Sequence, residues 1–126
     1  MENPTVYSLL GDEPFAVLVD AFYRGVESDP ILRPMYPEDL SQAKEHLFLF
    51  LTQFFGGPRR YDALRGHPRL RMRHLPFSIG AAERDAWLTH MRSAVDEARI
   101  PEPARQAMLD YFDHAAHFLV NRPGDT

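Results

Sequence analysis

Residues 65–77 read RGHPRLRMRHLPF, with two histidines, four arginines and two prolines in thirteen positions. Pro68 has the fixed φ that suits a first helical position, and Pro76 disfavours helix at Leu75 just before it. The stretch is expected to hold a helix of about two turns at most, with His74 in its last turn. Leu70 and His74 are four apart and share one face. Arg69 and Arg73 share a neighbouring face, and Arg71 points elsewhere. An imidazole on the inner face of such a helix is either a hydrogen-bonded structural histidine or a metal ligand.

A single imidazole does not hold a bare zinc ion, which takes three or four protein ligands. It does suffice for haem iron, where the porphyrin supplies the other four nitrogens. The porphyrin also carries two propionates that need cationic or hydroxyl partners, and an arginine cluster beside an iron-ligating histidine answers that need. His67 precedes Pro68 and is expected to be extended, so His74 is the better ligand candidate.

The surrounding chain bounds these readings. Its 126 residues suit one domain, 1–126, and 44% apolar with 25% charged residues is ordinary for a globular protein. There is no cysteine, which excludes disulfides, thiolate metal sites and cysteine nucleophiles. No signal-peptide pattern or membrane-length apolar run is present, so a cytoplasmic location is expected and a membrane is not. The net charge is −4, yet Arg59 to Arg73 holds six arginines and one acid, Asp62. A nucleic-acid-binding helical domain could use that patch, but the acidic remainder and the short helix argue against it.

Outward from this stretch the pattern is helical throughout. Asn3-Pro4 offers a cap and a first helical proline, and Gly11 ends that helix. Asp12 caps a second, with Phe15, Leu18, Val19, Phe22 and Val26 at helical spacing and Tyr23 on the edge of that face. Pro30, Pro34 and Pro37 make a corner around Met35 and Tyr36. Ser41 or Asp39 starts a third helix with a stripe of Ala43, Leu47, Phe50, Leu51 and Phe54, stopped by Gly56-Gly57. Residues 56–67 show no periodicity and are expected to be a loop. A fourth long segment carries Trp87, Leu88, Met91, Val95 and Ala98, and a last helix Ala107, Met108, Tyr111, Phe112, Ala115 and Leu119, ending before Pro123. No alternating strand pattern is present, and the fold class is all-α.

A haem pocket needs Phe, Leu and Met walls, which these stripes supply. O2 on ferrous iron takes on partial negative charge and is stabilised by donors in a dry pocket. Tyr23, Tyr36 and Trp87 are donors on otherwise apolar faces.

Several motifs then act together: Phe22-Tyr23, the corner Leu32 to Asp39 (LRPMYPED), Gly56-Gly57-Pro58, the run from Arg65 to Phe77, Arg84 to Leu88 (RDAWL), and Val120-Asn121. In this order they resemble the truncated haemoglobins, and within them group II, over almost the whole chain. The resemblance implies a truncated globin fold, a two-over-two helical sandwich around haem b (iron protoporphyrin IX). It implies His74 as the proximal iron ligand and Tyr23, Tyr36 and Trp87 as distal hydrogen-bonding residues. Ala43 matches the distal gate, Leu47 and Phe50 the distal wall, and His46, Tyr61 and Arg73 the propionate contacts. Leu70, Phe77 and Met91 are expected around the same cofactor.

Two departures from the family stand out. Gly11-Asp12 replaces a Gly-Gly pair, and the segment after Tyr36 is one residue short; placing the loss before Leu40 sets the register of Ala43 and Leu47.

The expected function is oxygen binding or transport at ferrous haem, with nitric oxide dioxygenation or peroxidase-like chemistry implied by the resemblance. The alternative is a non-catalytic haem-based oxygen or redox sensor. Expected partners are O2, NO, CO or peroxide, together with an electron donor or reductase that the sequence does not name; a homodimer is compatible with the chain.

Overall fold

Helices account for nearly all regular structure in the computed structural model, which describes residues 4–122. They are α1 (Val6–Leu10), α2 (Asp12–Glu27), α3 (Ser41–Phe54), α4 (Arg60–Arg65), α5 (Leu70–His74), α6 (Ala81–Glu97) and α7 (Ala104–Phe118), with a 3-10 turn at Arg33–Met35. No strand occurs among the described residues, and no helix there is long and apolar enough to cross a membrane. α2 packs along α6 and against α3, and α7 packs on α6. The result is two helix pairs laid one over the other, the two-over-two sandwich of the truncated globins.

The core follows the helical period. Phe15, Leu18, Val19, Phe22 and Val26 of α2 are buried against Met91 and Val95 of α6 and Met108 and Phe112 of α7, within one apolar cluster. Two members of the expected stripes lie elsewhere. Phe54 is 49% exposed because it sits at the end of α3, where its ring stacks on Tyr111 at 4.0 Å. Ala107 is exposed while Ala104, one turn earlier, is buried. Thr52 is fully buried, its hydroxyl satisfied by donating to the Phe48 carbonyl at 2.9 Å.

The helix starts differ from expectation in instructive ways. Asn3 lies outside the described residues; Thr5 caps α1, accepting from the Ser8 N–H at 3.0 Å, so Pro4 precedes the helix. Asp12 is the first residue of α2 rather than its cap, and its carboxylate pairs with Arg60 at 2.8 Å. The expected loop at 56–67 contains α4. Its start is held by α3: the Asp62 N–H donates to Gln53 Oε1 at 3.0 Å and Gln53 Nε2 donates to the Asp62 carboxylate at 2.9 Å. Only Tyr61 of α4 is buried, so the helix leaves no periodic trace. Pro68 likewise precedes α5: Arg69, at φ 46, is its cap residue.

Candidate functional site

α5 is short, and its position matters more than its length. At its end, His74 Nδ1 lies 2.6 Å from the Leu70 carbonyl oxygen. A carbonyl can only accept, so Nδ1 carries the proton, and in the neutral ring Nε2 is the nitrogen left with a lone pair. The segment after His74 is pinned by Asn121, whose side-chain amide donates to the Phe77 carbonyl at 2.8 Å and accepts from the Ile79 N–H at 2.9 Å. The closing Val120-Asn121 of the sequence therefore has a mechanical role: it fixes the chain that carries the histidine.

His74 forms part of the wall of a cavity of about 430 Å3, within the usual range for a ligand pocket. α2 contributes Phe22 and Tyr23, and α3 contributes Ala43, His46, Leu47, Phe50 and Leu51. Tyr61 and Arg65 come from α4, Leu70 and Arg73 from α5, Trp87 from α6, and Tyr36 from the corner. Ala43, Leu47 and Phe50 lie on this wall, one helical face of α3.

Donors gather on one side. The rings of Tyr23 and Tyr36 meet edge-on with centroids 5.6 Å apart. Trp87 packs edge-on against Phe22 at 5.7 Å and Phe112 at 5.8 Å. Burial pushes the Tyr36 phenol up to about 12, and burial followed by the nearby Tyr36 pushes Tyr23 further up. Both phenols thus stay protonated at neutral pH and remain donors. Tyr23 donates a long bond of 3.4 Å to the Ala43 carbonyl. The Tyr36 hydroxyl and the Trp87 indole N–H have no hydrogen-bond partner among the described residues while lining the cavity.

Cations gather elsewhere on the wall. Arg73 is folded back, donating from Nε to the Pro68 carbonyl at 2.7 Å and from Nη2 to the Arg65 carbonyl at 3.2 Å. Arg65 reaches His46, with Nη1 3.1 Å from Nδ1, and its guanidinium lies 5.9 Å from the centre of the Tyr61 ring. Burial, then the charge of Arg65, lowers the pKa of His46, so its imidazole is the acceptor in that pair. Arg65 is a site residue that sequence reasoning left unassigned; its only signal was membership of the arginine cluster.

Two expected residues lie off the wall. Met91 is fully buried in the core cluster, one turn beyond Trp87 on α6. Phe77 is 42% exposed, its ring 6.5 Å from that of His74; it follows Pro76 in a turn whose N–H at Phe77 donates to the His74 carbonyl at 3.0 Å. His67 is exposed and only serves α5, accepting from the Arg69 N–H at 3.1 Å. Conversely, Tyr111, Phe112, Ala115 and Leu119 of the last helical stripe line the cavity. Their i, i+4 spacing was legible, but not which side of α7 they faced.

These features meet the needs of a haem. The His74 imidazole has its second nitrogen fixed by a carbonyl, as metal-bound histidines do, while His46 is engaged by Arg65. Among the described residues no group of three His, Asp or Glu could hold a bare metal ion, so a metal here needs ligands that the protein does not supply. The walls are largely aromatic and aliphatic, with arginines in one region and unpaired donors in another.

Comparison with known proteins gives a consistent result. The bacterial-like globin family model matches residues 5–121. The chain is 40% identical over 116 residues to a group 2 truncated haemoglobin of Bacillus subtilis, covering 92% of this chain and 88% of that protein. Among solved structures, a haemoglobin of the thermophilic phototroph Chloroflexus aurantiacus superposes with a TM-score of 0.93 at 57% identity, covering 95% of this chain and all of that one. A truncated oxygen-avid haemoglobin from Bacillus subtilis superposes with a TM-score of 0.90 at 39% identity, covering 94% of this chain and 100% of that one.

Proposed function

The chain belongs to the bacterial-like globin family, as a truncated haemoglobin of group II, and from that premise we propose that it retains O2 tightly at haem b for redox chemistry. Haem supplies, when bound, reversible coordination of a diatomic gas and one-electron chemistry. His74 would hold the iron through Nε2, with the Leu70 carbonyl keeping its ring in the required tautomer and orientation. Arg65 and Arg73, with His46 and Tyr61, line the cavity and would take the propionates.

The observation that carries this reading is a pair of half-buried donors, Tyr36 and Trp87, lining the cavity with no hydrogen-bond partner among the described residues. Such donors are costly to leave unpaired in a dry site. They stabilise a ligand that accumulates negative charge, which slows its escape. Ala43 contributes little bulk to the wall. Slow release suits turnover better than delivery, so the reaction class is nitric oxide dioxygenation or peroxidase-like reduction, fed by a separate electron donor. The absence of cysteine fits a cytoplasmic setting.

Reconstituting the protein with haem and recording its visible spectrum, with and without CO, tests the reading. A Soret band that shifts with CO is expected, and its absence removes haem binding. A His74→Ala variant with an unchanged spectrum removes His74 as the ligand. Nitric oxide consumption with a supplied reductase separates turnover from binding alone.

A further inference from the structure

We propose that Asp29 and His90, with Gly25 beside them, are positioning residues that hold the Tyr36 hydroxyl and the Trp87 indole in register. This rests on the role given above to Tyr36 and Trp87. None of the three lines the cavity. Asp29 follows α2, where the chain turns into the corner, and its carboxylate organises that corner. It accepts from the Ile31 N–H at 2.8 Å and the Leu32 N–H at 3.4 Å, and its carbonyl accepts from the Arg33 N–H at 2.8 Å. Arg33 then donates to the carbonyls of Tyr36 at 3.3 Å, Pro37 at 3.0 Å and Glu38 at 2.9 Å. The backbone at Tyr36 is thus tied to Asp29 through one intervening residue.

The same carboxylate accepts from His90 Nε2 at 2.6 Å, both side chains being largely buried. His90 is on α6, three residues after Trp87, so one bond joins the element that carries Trp87 to the corner that carries Tyr36. Gly25 makes the approach possible. A β-carbon there would lie 2.3 Å from His90 Nδ1, so only glycine lets the imidazole lie against α2. The Nε2 donor exists in the charged imidazole and in one neutral tautomer, so the bond does not depend on His90 being charged.

A positioning role predicts coupling that packing alone does not. In the haem-loaded protein, Asp29→Ala and His90→Leu are each expected to raise the O2 dissociation rate about three- to fivefold, while in a Tyr36→Phe background the same changes add less than about 1.5-fold. Asp29→Asn keeps an acceptor oxygen for the corner N–H groups and sets its amide N–H against His90 Nε2, which accepts in the other neutral tautomer, so its rate stays within about twofold of wild type. If Asp29→Ala does not take haem, His90→Leu alone carries the comparison with and without the Tyr36 hydroxyl.

Trp87 is the protein's single tryptophan, so acrylamide quenching in the haem-free protein reads the brace independently; it is expected to rise in His90→Leu. Equal rate increases with and without the Tyr36 hydroxyl overturn the proposal, as does an unchanged rate in both brace variants while Tyr36→Phe itself releases O2 faster. Unchanged quenching in His90→Leu overturns the link to Trp87. If Tyr36→Phe has no effect, the role of Tyr36 falls and the brace falls with it, a result distinct from failure of the brace alone.

Discussion

Removing one hydroxyl, in Tyr36→Phe, isolates the ligand-binding argument. The change keeps the ring, so the edge-on contact with Tyr23 at 5.6 Å survives, and it leaves no partner stranded, because the hydroxyl has none among the described residues. Burial pushes this phenol up to about 12, so the donor is present across the neutral range. A net hydrogen bond contributes about 0.5–1.5 kcal/mol, and about 1.5–3 kcal/mol when one partner is charged. Partially charged O2 falls between these, at about 1.5 kcal/mol, which corresponds to roughly tenfold in rate. Trp87→Phe is expected to act similarly. Tyr23→Phe should act less, below about threefold, because its hydroxyl already donates to the Ala43 carbonyl. Stopped-flow displacement of O2 by CO measures all three. Changes under about twofold in both Tyr36→Phe and Trp87→Phe would refute the assignment of these donors to the ligand.

Other outcomes follow from the same geometry. Met91→Ala should cost about 2–5 kcal/mol in denaturant unfolding yet leave the haem spectrum unchanged, since Met91 lies in the core and off the cavity wall. Gly56→Ala should lower the melting temperature, because Gly56 sits at φ +100 and a β-carbon there would lie 2.4 Å from Thr5 Cβ. Arg65→Ala should weaken haem retention, measured as faster haem transfer to apomyoglobin, while sparing the iron-ligand band. For Asp29 the sign runs one way: its bond from His90, ahead of the opposing burial, holds its carboxyl below the usual range. Its contribution to stability is therefore complete above the ordinary carboxylate pKa and is lost as pH falls through the lower native value. Melting temperatures from pH 7 to pH 2 should show a shallower acid limb in Asp29→Asn than in wild type.

The sequence by itself determined the all-α class, the four long helices and the identity of the histidine on the short helix. Burying an apolar stripe at a period of 3.6 is a local property of each segment, and Pro76 stops α5 just after His74 whatever surrounds it. The family motifs then supplied the roles proposed for Tyr23, Tyr36 and Trp87. Tertiary structure decided what depends on partners distant in the chain. α4 is held at its start by Gln53 of α3, so no local signal marks it. Arg65 is a cavity residue only because α4 turns it to His46. Met91 and Trp87 lie one turn apart on α6, yet Met91 is enclosed by the core while Trp87, against Phe22 and Phe112, reaches the cavity wall. The bond from His90 to Asp29 spans 61 positions of sequence. Such a pairing is set by how helices cross, which pattern and spacing along a chain do not encode.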